Sequence, residues 1–296
     1  MPYDEREPYV VAEIGCNHCG SMDTAREMIT QAVVFCEASC VKFQKRDTGK
    51  VLSPEEYTRP HPNPMHSYGA SYGEHREYLE LDIDQNRELQ AFCARQGIDY
   101  SSSVWDMTSA RQIAELAPPF IKVPSACNTD LDMARFLCEA YSGDIHVSLG
   151  MTTSDEIERI VQFYVGLGRG KDVVLYHCTS GYPVSFDDVN LLEIGHLRET
   201  YGTKVKAIGF SGHHLGIAVD IAAYALGARY FERHFTLDRT LKGTDHAASL
   251  EPPGLRKLVR DLRATCRALK RKPRDILEVE EPQREKLKWD RNRQDS

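Results

Sequence analysis

The sequence has no long apolar run. No stretch of its 296 residues approaches the roughly 20 apolar residues needed to cross a bilayer. The first ten residues, MPYDEREPYV, carry acids where a secretory leader needs a basic and then an apolar segment, so the expected location is the cytoplasm. Positive charge is also short: 37 Lys and Arg stand against 44 Asp and Glu, for a formal net charge of -7. Bulk electrostatics therefore give no attraction for nucleic acid. A glycine-rich phosphate loop is missing too. AEIGCNHCG, at the first apolar run, does not match G-x-G-x-x-G, which argues against an open dinucleotide-binding sheet. Cysteine, by contrast, is plentiful and odd in number, at nine. Cys36, Cys93, Cys138 and Cys178 sit in apolar runs, where a free thiol is a small hydrophobe. A cytosolic setting argues against a disulfide framework. Cys16 and Cys19 form C-x-x-C, the spacing of a redox pair or half a zinc site. No second such pair exists, so a plain loop is expected there.

What is present is one unit repeated. Hydrophobic residues make up 41% and charged residues 27%, the balance of a soluble globular enzyme. Apolar strands are expected at 9–15, 40–45, 98–103, 120–125, 144–150, 173–179, 205–213 and 230–236. Helices are expected over 23–37, 84–96, 107–116, 131–141, from Thr153 or Ser154 onward, 187–201, 217–226 and 253–269. Gly97 fits a helix C-terminus. Near-continuous apolar strands alternating with amphipathic helices signal a parallel sheet covered by helices. Eight such pairs predict an α/β fold of the (β/α)8 TIM-barrel type, as a single domain over residues 1–269. Residues 270–296 read as a polar, solvated tail. The stretch from Arg46 to Gly73, with prolines at 54, 60, 62 and 64, reads as a long irregular loop.

Active-site residues in such barrels come from the C-terminal ends of the strands. Here those ends offer Glu13; Lys42 and Gln44; Ser101 to Ser103; Lys122 and Ser125; Ser148; His177, Thr179 and Ser180; Ser211 and His213; Glu232 and His234. Lysine is rarely buried without a partner. Two lysines and several serines facing one cavity point to a small anionic ligand, a phosphate or a carboxylate. Two histidines from adjacent strands point to a divalent metal with open coordination positions. Singly, each residue has a plain structural reading: a lysine can snorkel to the rim, and a histidine can be a hydrogen-bonded core residue. His146, His177, His196 and His214 are read that way. The coincidence at eight strand ends carries the functional reading.

AEIGCNH, VKFQK, IKVPS, SLGM, HCTSGYP, IGFSGH, FERHFT and KGTDHAASLEP occur in that order. With them the chain resembles the sialic acid synthase family over roughly residues 8–268. The resemblance implies a (β/α)8 barrel that joins phosphoenolpyruvate to an N-acylhexosamine or related sugar aldehyde, releasing phosphate by C–O cleavage. It implies that Lys42, Ser103, Lys122, Ser125, Ser148, Ser180 and Ser211 surround phosphoenolpyruvate. His213 and His234 would hold the divalent metal, manganese in the family. Glu13, Gln44, Tyr182 and Asp245 would face the sugar. Glu13 would orient or deprotonate the attacking water, and Glu232 would lie near the metal and hold a metal-bound water.

Three departures from the family pattern shape the expectations. Cys127 stands where many members have a carboxylate, and would lie beside the sugar. Ser211-Gly212-His213 replaces Ser-Asp-His. The family's small C-terminal antifreeze-like domain, which reaches across a dimer with an arginine for the N-acyl sugar, is expected to be missing. The expectations are a homodimer built through barrel helices, a loop from Arg46 to Gly73 that takes over that domain's work through His61, His66, Tyr68 and Tyr72, and an acceptor other than N-acetylmannosamine. Two other readings stand beside the synthase. A metal-dependent lyase or isomerase would not need Lys42 and Lys122. A non-catalytic sugar-phosphate-binding protein would not need Glu13, both lysines and both histidines.

Overall fold

The computed structural model describes residues 7–289. The acid-rich residues 1–6 and the end of the tail, 290–296, lie outside the described residues. Eight parallel strands close on themselves in sequence order. They are β1 Tyr9–Gly15, β2 Cys40–Lys45, β3 Asp99–Val104, β4 Phe120–Val123, β5 Asp144–Ser148, β6 Val173–Cys178, β7 Ala207–Gly212 and β8 Tyr230–His234. The chain starts its helices with α1 Met22–Thr30, α2 Thr48–Val51, α3 Pro54–Thr58, α4 Tyr72–Leu79, α5 Ile83–Gln96 and α6 Met107–Leu116. It continues with α7 Leu131–Ala140, α8 Ser154–Gly166, α9 Leu192–Tyr201, α10 Ala218–Leu226, α11 Pro252–Ala268 and α12 Glu281–Leu287. Helices α1, α5, α6, α7, α8, α9, α10 and α11 follow the eight strands in turn and complete the (β/α)8 barrel. No described helix is long and apolar enough to cross a membrane.

Several boundaries differ from expectation for local reasons. The first helix is α-helical only to Thr30, and Gln31–Phe35 continues as a π-helix. Residues 187–191 precede α9 and hold a short 3-10 turn, Phe186–Asp188. The stretch from Arg46 is not irregular. Asp47, Ser53, Asn63 and Ser71 each cap a short helical segment, and Ser53 with Glu56 and Ser71 with Glu74 form capping boxes. Pro54 and Pro64 sit in the first turn of their segments, where the missing N–H costs nothing. The polar tail carries α12, which buries no residue. All nine cysteines are free. Gly97 ends α5 in the left-handed conformation, at φ 75°.

Alternation along the strands sorts the barrel into two shells. Outward residues such as Val10, Ala12, Ile14, Phe43 and Phe231 pack under the helices. Inward residues stack in layers. The lower layers are aromatic: His146 stacks on Phe120 at 3.8 Å between ring centroids, meets Tyr230 at 5.0 Å, and shares a hydrogen bond with the Tyr176 hydroxyl at 2.9 Å. Burial pushes the His146 pKa well down, so it fills the floor as a neutral ring. A Cβ on Gly209 would come within 2.8 Å of the Tyr176 ring, so only glycine lets that tyrosine cross the barrel. The layer above this floor is polar.

Arg233, between Glu232 and His234, points outward instead. It is fully buried with Asp220 of α10, and donates to the carbonyls of Gly216 at 2.9 Å and His214 at 2.6 Å. His214 shares this network through Asp220 at 3.2 Å, which makes it structural. Breaking a buried pair strands one charge. Asp220→Ala should therefore lose about 3–5 kcal/mol of stability, read as a lowered midpoint in urea unfolding; an unchanged midpoint would remove this pair from the fold's supports.

Candidate active site

The polar layer is a buried cluster of four charges. Lys42 of β2 lies 2.6 Å from Glu13 of β1 and 3.5 Å from Glu232 of β8, and donates to Ser103 at 2.6 Å. Lys122 of β4 lies 2.8 Å from Glu232 and 3.5 Å above the Tyr176 ring. Both lysines are 1% exposed, so neither snorkels to the rim. Register brings them together: Glu13 pairs with Lys42 on one side and His234 on the other, Ser103 pairs with Lys122, and Ser211 pairs with Glu232.

The four groups do not titrate alike. Burial pulls on Lys42, but Glu13 and Glu232 outweigh it and raise its pKa. Lys122 has one carboxylate beside it, and burial wins, lowering its pKa. Burial likewise raises Glu13, with Lys42 offsetting only part. For Glu232 the two ammonium groups overcome burial and hold the carboxyl below its usual range. Carboxylates whose environments separate their pKa values take different roles. Glu232 is a counter-ion to both lysines. Glu13 is the more basic carboxylate, and Gln44 donates to it at 3.0 Å.

Above this cluster lies a cavity of about 290 Å³. Its lining includes Glu13, Lys42, Gln44, Ser103, Lys122, Ser125, Ser148, Ser180, Tyr182, Ser211, His213, Glu232 and His234. Of the residues assigned from the sequence to phosphoenolpyruvate, the metal or the sugar, Asp245 lines instead an adjoining cavity of about 600 Å³, and the strand-end residues Ser101, Ser102, His177 and Thr179 are outside the inner lining. Gln44, Trp105, Tyr182 and His234 border both cavities. Gly150 presses the serines inward: a Cβ there would lie 2.5 Å from the Ser180 oxygen and 2.8 Å from that of Ser125. Cys127 does not line either cavity. The turn closed by its N–H on the Pro124 carbonyl carries its thiol to the Trp105 carbonyl, at 3.2 Å, and leaves Ala126 facing inward. Trp105 and Met151 also line the inner cavity without having been singled out. Trp105 directly follows Val104, the last residue of β3, and that position at a strand end was the available signal.

His213 and His234 approach to 5.5 Å between ring centroids, with Tyr182 stacked 4.3 Å from His213. The His213 Nδ1 contacts the Thr179 carbonyl at 2.9 Å. A carbonyl only accepts, so the proton sits on Nδ1 and Nε2 keeps its lone pair. Burial, with His234 beside it, brings its pKa down to about 3. The His234 Nδ1 is buried without a hydrogen bond, 3.8 Å from Asp245. A neutral imidazole oriented by a carbonyl, beside an orphaned imidazole nitrogen, is a donor set that suits a divalent metal. Among the described residues no three His, Cys, Asp or Glu gather for a metal. The described residues bring two imidazole groups together here.

A family model described as the NeuB family matches residues 28–274. The chain belongs to the NeuB family. It is 38% identical to the human N-acetylneuraminate-9-phosphate synthase over 279 residues, covering 94% of this chain and 76% of the human protein. It is 31% identical to the N,N'-diacetyllegionaminic acid synthase of Campylobacter jejuni over 265 residues, covering 89% of this chain and 78% of that one. Among solved structures, the N-acetylneuraminic acid synthetase of Leptospira borgpetersenii, in complex with citrate, superposes with a TM-score of 0.80 at 24% identity. That match covers 97% of this chain and 94% of the Leptospira chain, and shows the shared barrel fold.

The charge cluster has a measurable consequence. Glu232→Ala leaves two buried ammonium groups facing one carboxylate, which should cost about 3–5 kcal/mol. Inorganic phosphate should then restore part of the lost thermal stability, and stabilise the variant more than the parent. An equal or smaller effect of phosphate on the variant would show that the lysines do not face an anion-binding cavity.

Proposed function

We propose that the protein condenses phosphoenolpyruvate with a sugar aldehyde to give a 3-deoxy-2-ulosonic acid and inorganic phosphate. The observation that carries this is the single cavity with Lys42, Lys122 and a ring of serines on one side and two imidazoles on the other. Its family membership agrees: the curated relatives at 38% and 31% identity are named as synthases of nine-carbon sugar acids. One of those printed products carries a phosphate and the other does not, so the acceptor is left at the level of a sugar aldehyde.

In this reading the lysines and the hydroxyls of Ser103, Ser125, Ser148, Ser180 and Ser211 hold the phosphate and carboxylate of phosphoenolpyruvate. Its C3 attacks the aldehyde carbon, the new C–C bond forms, and the carbonyl oxygen takes a proton to become a hydroxyl. Positive charge develops at C2, and water adds there while Glu13 takes the proton. The tetrahedral centre then expels phosphate by C–O cleavage and leaves a ketone. Tyr182 and Gln44 border the place where the aldehyde meets C3, and holding both reactants there supplies up to roughly 7–11 kcal/mol of the barrier reduction. His213 and His234 would hold a divalent metal, for which we propose manganese, and its chemistry is Lewis-acid polarisation of the aldehyde. The lyase and isomerase reading leaves the two buried lysines without a role.

Phosphate release from phosphoenolpyruvate with a panel of sugar aldehydes, with and without manganese, tests the proposal. Lys42→Ala should lose calorimetric binding of phosphoenolpyruvate, and equal binding by both proteins would remove Lys42 from the site. His234→Ala should abolish turnover and weaken manganese binding measured directly by calorimetry. Full activity of a chelated, metal-free preparation would overturn the metal's role.

A further inference from the structure

The two buried lysines are not equally partnered. An ammonium group has three N–H donors. Around Lys42 stand three oxygens, from Glu13 at 2.6 Å, Glu232 at 3.5 Å and the Ser103 hydroxyl at 2.6 Å. Lys122 is as deeply buried, yet among the described residues its oxygen partner is Glu232 alone, at 2.8 Å. What it has instead is a ring. Tyr176 crosses the barrel beneath it, with the ring centroid 3.5 Å from the Lys122 Nζ. The face of an aromatic ring is the negative side of its quadrupole, so it attracts a cation, and more strongly where water is excluded.

The surroundings of the ring fix its tilt. Its hydroxyl shares a hydrogen bond with the His146 Nδ1 at 2.9 Å, and Gly209 leaves the space that a Cβ at 2.8 Å would close. Burial raises the Tyr176 pKa and lowers that of His146, so both stay neutral and the floor adds no charge under the ammonium. Lys122 lines the inner cavity, whereas Tyr176 lies outside its lining. A carboxylate partner must be displaced when an anion takes over the ammonium group. A ring face holds the same group without competing for it. We propose that Tyr176 is a positioning residue, whose ring holds the Lys122 ammonium from beneath and directs its remaining N–H groups at the anion in the cavity. This rests on the condensing reaction proposed above, and adds to its phosphoenolpyruvate site a residue that does not touch the substrate.

The test measures calorimetric binding of phosphoenolpyruvate and of inorganic phosphate to wild type, Tyr176→Leu and Tyr176→Phe, with thermal unfolding of each. Tyr176→Leu should weaken both anions by roughly 3- to 30-fold, the scale of one desolvated cation–π contact. Tyr176→Phe loses the hydroxyl but keeps the ring, and should recover most of that loss. In turnover, Tyr176→Leu should raise KM for phosphoenolpyruvate and leave KM for the sugar aldehyde unchanged, a split that general loosening of the floor would not produce. If Tyr176→Leu does not fold, Tyr176→Met takes its place, filling the space with a flexible side chain and no ring. Wild-type affinity in the ringless variant would overturn the assignment, as would equal losses in it and in Tyr176→Phe, or equal rises in both KM values. Absence of turnover with every acceptor, or phosphate binding without phosphoenolpyruvate binding, would count against the condensing reaction, and the phosphate titrations would still decide the role of Tyr176. Wild type that binds neither anion would overturn both.

Discussion

Four charges at the centre of the barrel govern what the rest of the molecule must do. Glu13, Lys42, Lys122 and Glu232 are buried together, two of each sign. An isolated buried charge is costly, and a paired one is tolerated only with good geometry and further hydrogen bonds. The barrel meets both conditions by closing. Four different strands each contribute one of the charges, and Ser103 and the face of Tyr176 take up what the carboxylates leave unsatisfied. Because the cluster is neutral as a whole, a bound anion must compete with Glu13 and Glu232 for the same ammonium groups.

The layers beneath and around the cluster follow from this. An aromatic floor of Phe120, His146, Tyr176 and Tyr230 separates the charges from the far end of the barrel and keeps water from reaching them from below. The outward faces of the same strands carry the apolar residues that hold the helices, so stability and chemistry share each strand without sharing residues. Arg233 shows how strict the division is: its neighbours on β8 face the cavity, while it forms a buried pair with Asp220 on the other side of the sheet. Toward solvent the polarity changes from balanced to cationic, and the inner cavity opens into a space bordered by arginines. A route that grows more positive outward draws anionic reactants toward the mouth, where the neutral interior can then sort them.

The linear sequence by itself determined the barrel and most of the inner site. Strand–helix alternation fixes the parallel closed sheet, and the rule that strand ends carry the chemistry places twelve side chains around one cavity. Both are local properties, because a period of two decides which side of the sheet a residue faces. Local signals also existed where they were passed over. Ser53 with Glu56 and Ser71 with Glu74 mark helix starts, and Pro54 belongs to such a start, although a cluster of prolines reads first as a loop.

Only the tertiary structure decided the rest. Which lysine meets which glutamate depends on shear around the closed barrel, which no single strand encodes. That Glu232 is a counter-ion and Glu13 the more basic carboxylate depends on how many ammonium groups each one meets across the barrel. Cys127 turned away from the cavity because of a four-residue turn, and Trp105 and Met151 turned toward it. The arginines of the outer cavity are far apart in the chain, at 46, 76 and 239, and no periodicity links them. They converge because two loops from neighbouring regions of the barrel mouth bond to each other. Side-chain direction is set by the backbone within a few residues, whereas charge pairing and loop packing are set by distances that exist only after the chain has closed.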